Sequence, residues 1–404
     1  MKIILIIPSL RKGGAERLVI DILRQFLSHK EIKIKVVIFR NEIEYAIDDI
    51  VENIKIIPSS VYISLKGKRI LQIDKLQNFI EEFKPNIIHT HLFESELVSR
   101  FCFYPKARWF SHLHDNIVQL RNFSFNTLLN KKALTNYYEK RILFKNYQKN
   151  GGTHFIAISK HTESYIKSVQ SKYPVTLLHN AINVKRFQNP TNSSPLTPNS
   201  SPPALSEVEV LTPRTERSRS ANSQLSTLTL INIGSFNSNK NQRFLLDIII
   251  ELNKLNQRVK CIFLGDGTLR KEVEQRSKKL NIYNQCQFLG IVENVEVFLW
   301  ESDVYVHTAL SEALGLTLLE AMVAGLPVVT LDGGGNRDLI ENGKNGFIIN
   351  NQNPKLFAEK ILEVKDNEEM KKYNIQFVQK FDIGIYTNKL LEIYQFALNV
   401  KTNS

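Results

Sequence analysis

Short aliphatic and β-branched runs bounded by turn residues alternate with longer amphipathic segments along this chain, and they do so in two separate series. The first comprises Lys2 to Ile7, Ile34 to Phe39, Ile54 to Ile57, Asn86 to His91, Arg108 to His112, Phe155 to Ser159 and Val175 to Leu178. The second comprises Leu228 to Ile233, Lys260 to Leu264, Gln287 to Leu289, Val304 to His307, Pro327 to Thr330 and Gly346 to Ile349. Runs this short and this apolar predict strands buried on both faces. Helical spacing between them, as over Arg17 to Phe26 and Ile70 to Phe83, predicts crossover helices, hence parallel sheets covered on both sides. The chain of 404 residues is long enough for two such cores.

The two series are separated by residues 190–226, which hold six of the 13 prolines, are rich in serine and carry no aromatic residue. Such a segment cannot bury enough apolar surface to offset about 1–2 kcal/mol of backbone entropy per ordered residue, and is expected to be a disordered linker. The predicted organisation is therefore an α/β chain with a domain over 1–189, the linker 190–226 and a second domain over 227–384. A C-terminal helical stretch, Ile385 to Val400 within 385–404, is expected to pack back on the first domain.

Charge and cysteines narrow the classes. Residues 1–189 carry 30 Lys and Arg against 16 Asp and Glu, and residues 190–404 carry 23 against 24, so the net charge of +13 lies in the first half. Such a field attracts nucleic acid, anionic lipid or a pyrophosphate-linked acceptor alike. Cys102, Cys261 and Cys286 have no paired spacing, which argues against a disulfide framework and fits a reducing cytoplasm. No apolar run approaches the roughly 18 residues of a spanning helix, and Met1 to Pro8 reads as a first strand rather than a signal peptide.

Chemistry gathers at strand-to-helix turns. Gly13-Gly14-Ala15-Glu16 follows the first strand; glycines there let a phosphate approach a helix N-terminus, although a tight turn would need them too. Gly234 through Lys240 repeats the arrangement, with Lys240 either neutralising a phosphate or solvated at the helix start. Leu264-Gly265-Asp266-Gly267 is a third such turn. The densest group is Ser311-Glu312-Ala313-Leu314-Gly315-Leu316-Thr317-Leu318-Leu319-Glu320. With a helix starting near Gly315, its free N–H groups can hold a pyrophosphate. Glu312 then precedes the helix and Glu320 lies inside it, displaced by roughly 8 Å. Two carboxylates so spaced cannot grip one hydroxyl, but they can bracket an extended nucleotide-sugar; two solvated glutamates are the alternative.

His89-Thr90-His91 and His112-Leu113-His114 place two histidine pairs at strand ends, open to a two-by-two metal site, to a polar contact with a sugar, or to ordinary core roles. Arg121 to Lys149 carries seven Lys and Arg, one acidic residue and interleaved Phe123, Phe125, Tyr137, Tyr138, Phe144 and Tyr147. That pattern suits either a membrane interface or a basic amphipathic helix.

Taken together these motifs resemble the large retaining family of glycosyl transferases group 1, of the GT-B plan, which includes bacterial capsule, O-antigen and glycolipid transferases. The resemblance rests on Gly13 to Glu16, Ala157-Ile158-Ser159, His179 to Asn183, Gly234 to Lys240, and above all Glu312 and Glu320 followed by Ala321-Met322 and Gly325 to Val329. It implies two Rossmann-like domains facing a cleft. Glu312 is then a catalytic residue contacting donor-sugar hydroxyls, Gly234, Lys240 and the backbone of Gly315 and Leu316 bind phosphate, and Glu320 binds ribose. Gly14 would lie near the donor phosphates and His114 beside the sugar. Ser235 stands where many members carry an arginine, and Ala181 with Asn183 replaces the commoner glycine and aspartate.

The implied partners are a nucleotide-diphosphate sugar and a glycan or lipid-linked acceptor of cell-surface polysaccharide, with peripheral contact to an anionic membrane at the inner face of the plasma membrane and no nucleic acid. Departure of the nucleoside diphosphate requires neutralisation of its charge. With no Asp-x-Asp signature at a strand end, that task falls to Lys240 and the helix N-terminus, and no metal or other cofactor is expected. The rival readings are a nucleotide-sugar epimerase of the same plan, a periplasmic receptor, and a catalytically weakened partner subunit.

Overall fold

The computed structural model describes residues 1–64, 69–122, 130–190 and 227–399, so nearly all of the linker and the aromatic pair Phe123 and Phe125 lie outside the described residues. The chain divides into two compact units, Met1–Asn183 with Phe381–Ser404, and Val184–Lys380.

In the first unit β1 (Lys2–Ile7) leads into α1 (Gly14–Leu27), followed by β2 (Lys33–Ile38), β3 (Ile54–Ile56), the pair β4 (Ser60–Ile63) and β5 (Arg69–Gln72), and α2 (Asp74–Phe83). Then come β6 (Ile87–His91), α3 (Phe93–Ser99), β7 (Arg108–Leu113), α4 (Lys131–Lys149), β8 (His154–Ala157), α5 (Lys160–Val169) and β9 (Val175–Leu177). The sheet order is β3-β2-β1-β6-β7-β8-β9, every pair parallel. β1 shows why both faces must be covered. Ile3, Leu5 and Ile7 join a core with α1 and the C-terminal helix Ile383–Asn399, while Ile4 and Ile6 join another with Leu76 and Ile80 of α2. Each fully buried isoleucine contributes roughly 1.5–3 kcal/mol, so neither face can be left to solvent.

One sequence expectation is corrected here. Ile70 to Phe83 is not a single helix: Arg69–Gln72 pairs antiparallel with Ser60–Ile63, and the helix starts only at Asp74. Ile70 and Leu71 suit an extended ladder, whereas Asp74 is an acid placed where the positive end of a helix favours it.

The second unit begins at α6 (Val184–Phe187). It continues through β10 (Leu228–Ile233), α7 (Gln242–Lys254), β11 (Val259–Leu264), α8 (Arg270–Lys279), β12 (Cys286–Gly290) and α9 (Val295–Trp300). β13 (Val304–His307), α10 (Leu316–Val323), β14 (Val328–Leu331), β15 (Gly346–Ile349), α11 (Pro354–Val364) and α12 (Glu368–Val378) complete it. The parallel sheet runs β12-β11-β10-β13-β14-β15. α6 belongs here because Trp300 Nε1 donates to Phe187 O at 2.8 Å and Arg186 pairs with Glu296 at 3.1 Å. The chain returns to the first unit at Phe381, where Ile182 N–H donates to Phe381 O at 3.1 Å and Ile383 N–H to Ile182 O at 3.0 Å. There α13 (Ile383–Asn399) buries Tyr386, Leu390 and Tyr394 against α1 and β1. Among the described residues no helix is long and apolar enough to cross a membrane.

Candidate active site

The second unit assembles its site from three loops at the carboxyl ends of β10, β13 and β14. Alternation along β13 puts Tyr305 and His307 on one face, both buried. The loop after β10 is clamped to the loop after β13 by Asn239. Its Nδ2 donates to Ser311 O at 2.9 Å, its Oδ1 accepts from Ser311 N–H at 2.9 Å, and its carbonyl accepts from Leu310 N–H at 2.8 Å. Thr308 Oγ1 adds a bond to Lys240 O at 2.8 Å. This stapling delivers Lys240 to Glu312, with Lys240 Nζ 2.6 Å from Glu312 Oε2.

Glu312 is gripped from the other side by Gly333-Gly334-Gly335. Its N–H donates to Gly333 O at 2.7 Å and its carbonyl accepts from Gly335 N–H at 2.8 Å. A Cβ on Gly333 would stand 2.7 Å from Glu312 Cβ, and one on Gly335 would run into the carbonyl of Ala313, so only glycine lets this loop close. Gly265 and Gly267 act likewise for the first loop: side chains there would strike the backbone of Gly234 and Phe236. The third glycine turn thus supports Gly234 and Lys240 by packing.

α10 starts at Leu316 with Gly315 as N-cap at φ +95, a left-handed conformation in which a Cβ would also meet Leu318 Cδ1 at 2.6 Å. The first N–H groups of the helix, at Leu316 and Thr317, lack partners of their own turn and make an anion-binding end. Gly234, Lys240, Glu312, Gly315, Leu316 and Glu320 all belong to this unit. Glu320 sits half-buried inside α10, where its charge still acts on Tyr305. Ser235 is exposed.

Burial would push the Glu312 carboxyl up. The hydrogen bond from His307 Nε2 at 3.0 Å and the charge of Lys240 overcome that and hold it down at about 2. Burial lowers His307 despite Glu312, so its imidazole is neutral. A carboxylate kept ionised and nearly dry accepts hydrogen bonds from hydroxyls strongly.

The first unit holds Gly14 and His114. Gly14 is the exposed first residue of α1. Gly13 caps it in extended backbone, with its N–H bonded to Tyr45 Oη at 2.9 Å and its carbonyl accepting from the same hydroxyl at 2.8 Å. His114 Nε2 lies 2.9 Å from His91 Nδ1, and Asn180 Nδ2 lies 3.4 Å from His114 Nδ1. The histidines form a stacked ladder from Tyr394 Oη, 2.5 Å from His89 Nδ1, through His89 Nε2 to His112 Nδ1 at 3.3 Å, and His112 Nε2 to Asn180 Oδ1 at 3.0 Å. Nitrogens of His89, His91 and His112 lie within 4.8 Å of one another. The ring planes of His91 and His112 differ by only 18°, however, and those of His112 and His114 by 16°. In-plane lone pairs of stacked rings do not point at a common centre; the ring nitrogens instead bond one another, Tyr394 and Asn180, except His91 Nε2, which is buried without a partner among the described residues. Burial lowers the pKa of all four, His112 to about 4.

Sequence reasoning assigned no role to His307, Tyr305, Asn239 or the triple glycine. The run Gly333-Gly334-Gly335 after a strand was the signal available; His307 and Asn239 carry none that spacing reveals.

Two parallel doubly wound units, one with a cation and a carboxylate beside a helix N-terminus, fit the GT-B plan. The comparisons agree: the model of the family described as glycosyl transferases group 1 matches residues 213–381, and that of glycosyltransferase family 4 matches residues 12–186. The chain belongs to the glycosyl transferases group 1. It is 28% identical to the putative glycosyltransferase EpsD of Bacillus subtilis over 35% of this chain and 37% of that protein. It is 30% identical to the poly(ribitol-phosphate) alpha-N-acetylglucosaminyltransferase of Staphylococcus aureus over 30% of this chain and 26% of that one. The matched segments thus span well under half the length of these relatives. Among solved structures, Anabaena Alr3699/HepE in complex with UDP superposes with TM-score 0.72 at 18% identity, covering 98% of this chain and 100% of that one. WaaG, a glycosyltransferase involved in lipopolysaccharide biosynthesis, superposes with TM-score 0.64 at 15% identity over the full length of both.

Proposed function

We propose that this chain is a retaining glycosyltransferase that moves a hexose-type sugar from a nucleotide-diphosphate donor to a glycan or lipid-linked acceptor in cell-surface polysaccharide biosynthesis. The observation that carries this reading is the ionised Glu312, bonded to Lys240 and His307 and standing directly before the N-terminus of α10. In this reading Glu312 takes sugar hydroxyls. Lys240 with the N–H groups at Gly315 and Leu316 takes the pyrophosphate, and Glu320, farther along the helix, takes the ribose. The charge that builds on the departing phosphate is met by a lysine and a helix end already in place, so no divalent metal is required. UDP is the first nucleotide to test, because fold neighbours carry it. The basic excess of the first unit suits an anionic acceptor or the inner face of a membrane.

The test is calorimetric titration with UDP-, GDP- and CMP-sugars, with and without EDTA, on the wild-type chain and Glu320→Ala. Metal-independent binding of one donor class, weakened at least tenfold in the variant, supports the reading; no binding of any donor supports a partner subunit without activity, for which the exposed Ser235 in place of the family's arginine is the one structural argument. Retention is read from the anomeric configuration of the product by NMR. Salt-sensitive flotation with anionic liposomes tests the membrane contact.

A further inference from the structure

His307 ends β13 with its side chain 1% exposed, yet both ring nitrogens are engaged. Nε2 meets Glu312 Oε2 at 3.0 Å, and Nδ1 meets Tyr305 Oη at 3.3 Å. The Tyr305 hydroxyl in turn bonds Thr317 Oγ1 at 2.8 Å, in the first turn of α10. A continuous chain of side chains therefore joins Glu312 to the helix end assigned to the pyrophosphate. The groups that face this chain are Glu312, Lys240 from the loop after β10, and Glu320 from α10.

The distribution of bonds on Glu312 gives the chain a purpose. Both Lys240 and His307 bond Oε2, and among the described residues Oε1 takes no hydrogen bond. One oxygen is saturated and the other is left for a ligand. Lys240 cannot serve two anions equally: a bound pyrophosphate, with more charge than one carboxylate, draws its ammonium away. A neutral imidazole whose Nε2 faces an ionised carboxylate carries its proton there, because Glu312 Oε2 can only accept, and that donor does not leave when phosphate arrives.

We propose that His307 is a positioning residue for donor recognition: its Nε2–H holds Glu312 Oε2 when Lys240 turns to the donor phosphate, so that Oε1 stays aimed at the sugar hydroxyls. The inference rests on the reading of Glu312 as the sugar-binding carboxylate.

The experiment uses the full chain as wild type, His307→Leu and His307→Gln; the glutamine amide places a donor near the position of Nε2. The carboxyl ¹³C resonance of Glu312, assigned by its loss in Glu312→Gln, is followed from pH 7 to 4 with inorganic pyrophosphate present to occupy Lys240. Wild type and His307→Gln are expected to stay ionised across that range. In His307→Leu the carboxylate is expected to take up protons at the acid end of it, a gain in proton affinity of about a hundredfold, at the upper end of what a lost bond to a charged group gives. Calorimetry with UDP and UDP-glucose should then show UDP affinity unchanged in His307→Leu, UDP-glucose affinity down about tenfold, and His307→Gln near wild type. Should His307→Leu fail to fold by circular dichroism, His307→Phe supplies a ring without the donor. A Glu312 resonance that titrates identically in wild type and in the donorless variant overturns the proposal. If the titration shifts as expected but the wild-type chain binds no nucleotide-sugar, the hold of His307 on Glu312 is supported and the glycosyltransferase reading is what fails.

Discussion

Lys240 Nζ stands 2.6 Å from Glu312 Oε2, a contact between two residues 72 positions apart, brought together where Asn239 and Thr308 tie the loop after β10 to the loop after β13. The pair is largely buried, 26% exposed at the lysine and 14% at the glutamate, so its charges act at reduced dielectric and its loss is felt in stability.

The pH dependence of that pair has a definite sign. Glu312 is held at about 2 against an ordinary 4.5, so its ionised form stabilises the folded chain. The contribution is complete above about pH 4.5 and is lost as pH falls from there toward 2; a shift of this size corresponds to about 3.4 kcal/mol as an upper bound. Urea unfolding of Glu312→Gln at pH 6 and pH 3 is expected to show a smaller acid loss than wild type. Equal losses in both would remove this pair as a source of acid sensitivity.

Gly335→Ala places a methyl group against the carbonyl of Ala313 and must push the glycine loop off Glu312. The expected result is a destabilisation of about 1–3 kcal/mol together with a weakened nucleotide-sugar affinity, because the loop supplies both backbone bonds that fix Glu312. A variant that unfolds like wild type and binds donor as well would show that the loop has room to move.

The histidine ladder predicts a second acid sensitivity, located in the first unit. Burial lowers His112 from 6.5 to about 4, so the folded state keeps it neutral while the unfolded chain protonates it. Stability from this group is present above about pH 6.5 and is lost as pH falls through the window down to about 4. Thermal midpoints measured between pH 7 and 4 should fall less steeply in His112→Asn than in wild type, and parallel curves would refute the assignment.

Tyr394→Phe removes the hydroxyl that meets His89 Nδ1 at 2.5 Å and leaves a buried imidazole nitrogen without its partner. A loss of about 1–3 kcal/mol is expected, borne by the docking of α13 on the first unit. Hydrogen exchange would locate it: faster exchange in Ile383–Asn399, with α10 unchanged. Unaltered protection of α13 would mean the hydroxyl carries no net stabilisation.

Much of the architecture was readable along the chain because local rules govern it. β1, β10, β13 and β15 fall where the apolar runs ended, since a strand buried on both faces must be apolar throughout and a turn residue must end it. Gly315 at φ +95 and the helix start at Leu316 were legible for the same reason: one residue's backbone freedom and the four unpaired N–H groups of a helix end are properties of a few neighbours in sequence. The Ile70 to Gln72 strand was not, because whether a short apolar stretch coils or pairs depends on the partner Ser60–Ile63 that it meets.

The chemistry of the site was decided elsewhere. Glu312 and Glu320 could be picked out by spacing, but that Glu312 is ionised at about 2, shares Oε2 between Lys240 and His307, and leans on Gly333 and Gly335 follows from loops that converge from three separate strand ends. The same holds for the ladder from Tyr394 to Asn180, built from residues up to 305 positions apart. Spacing along the chain specifies backbone conformation, which is a local property. Charge state, hydrogen-bond partners and close contacts depend on distances through space, and in this protein only the packing of the β10, β13 and β14 loops, and of α13 on the first sheet, sets those distances.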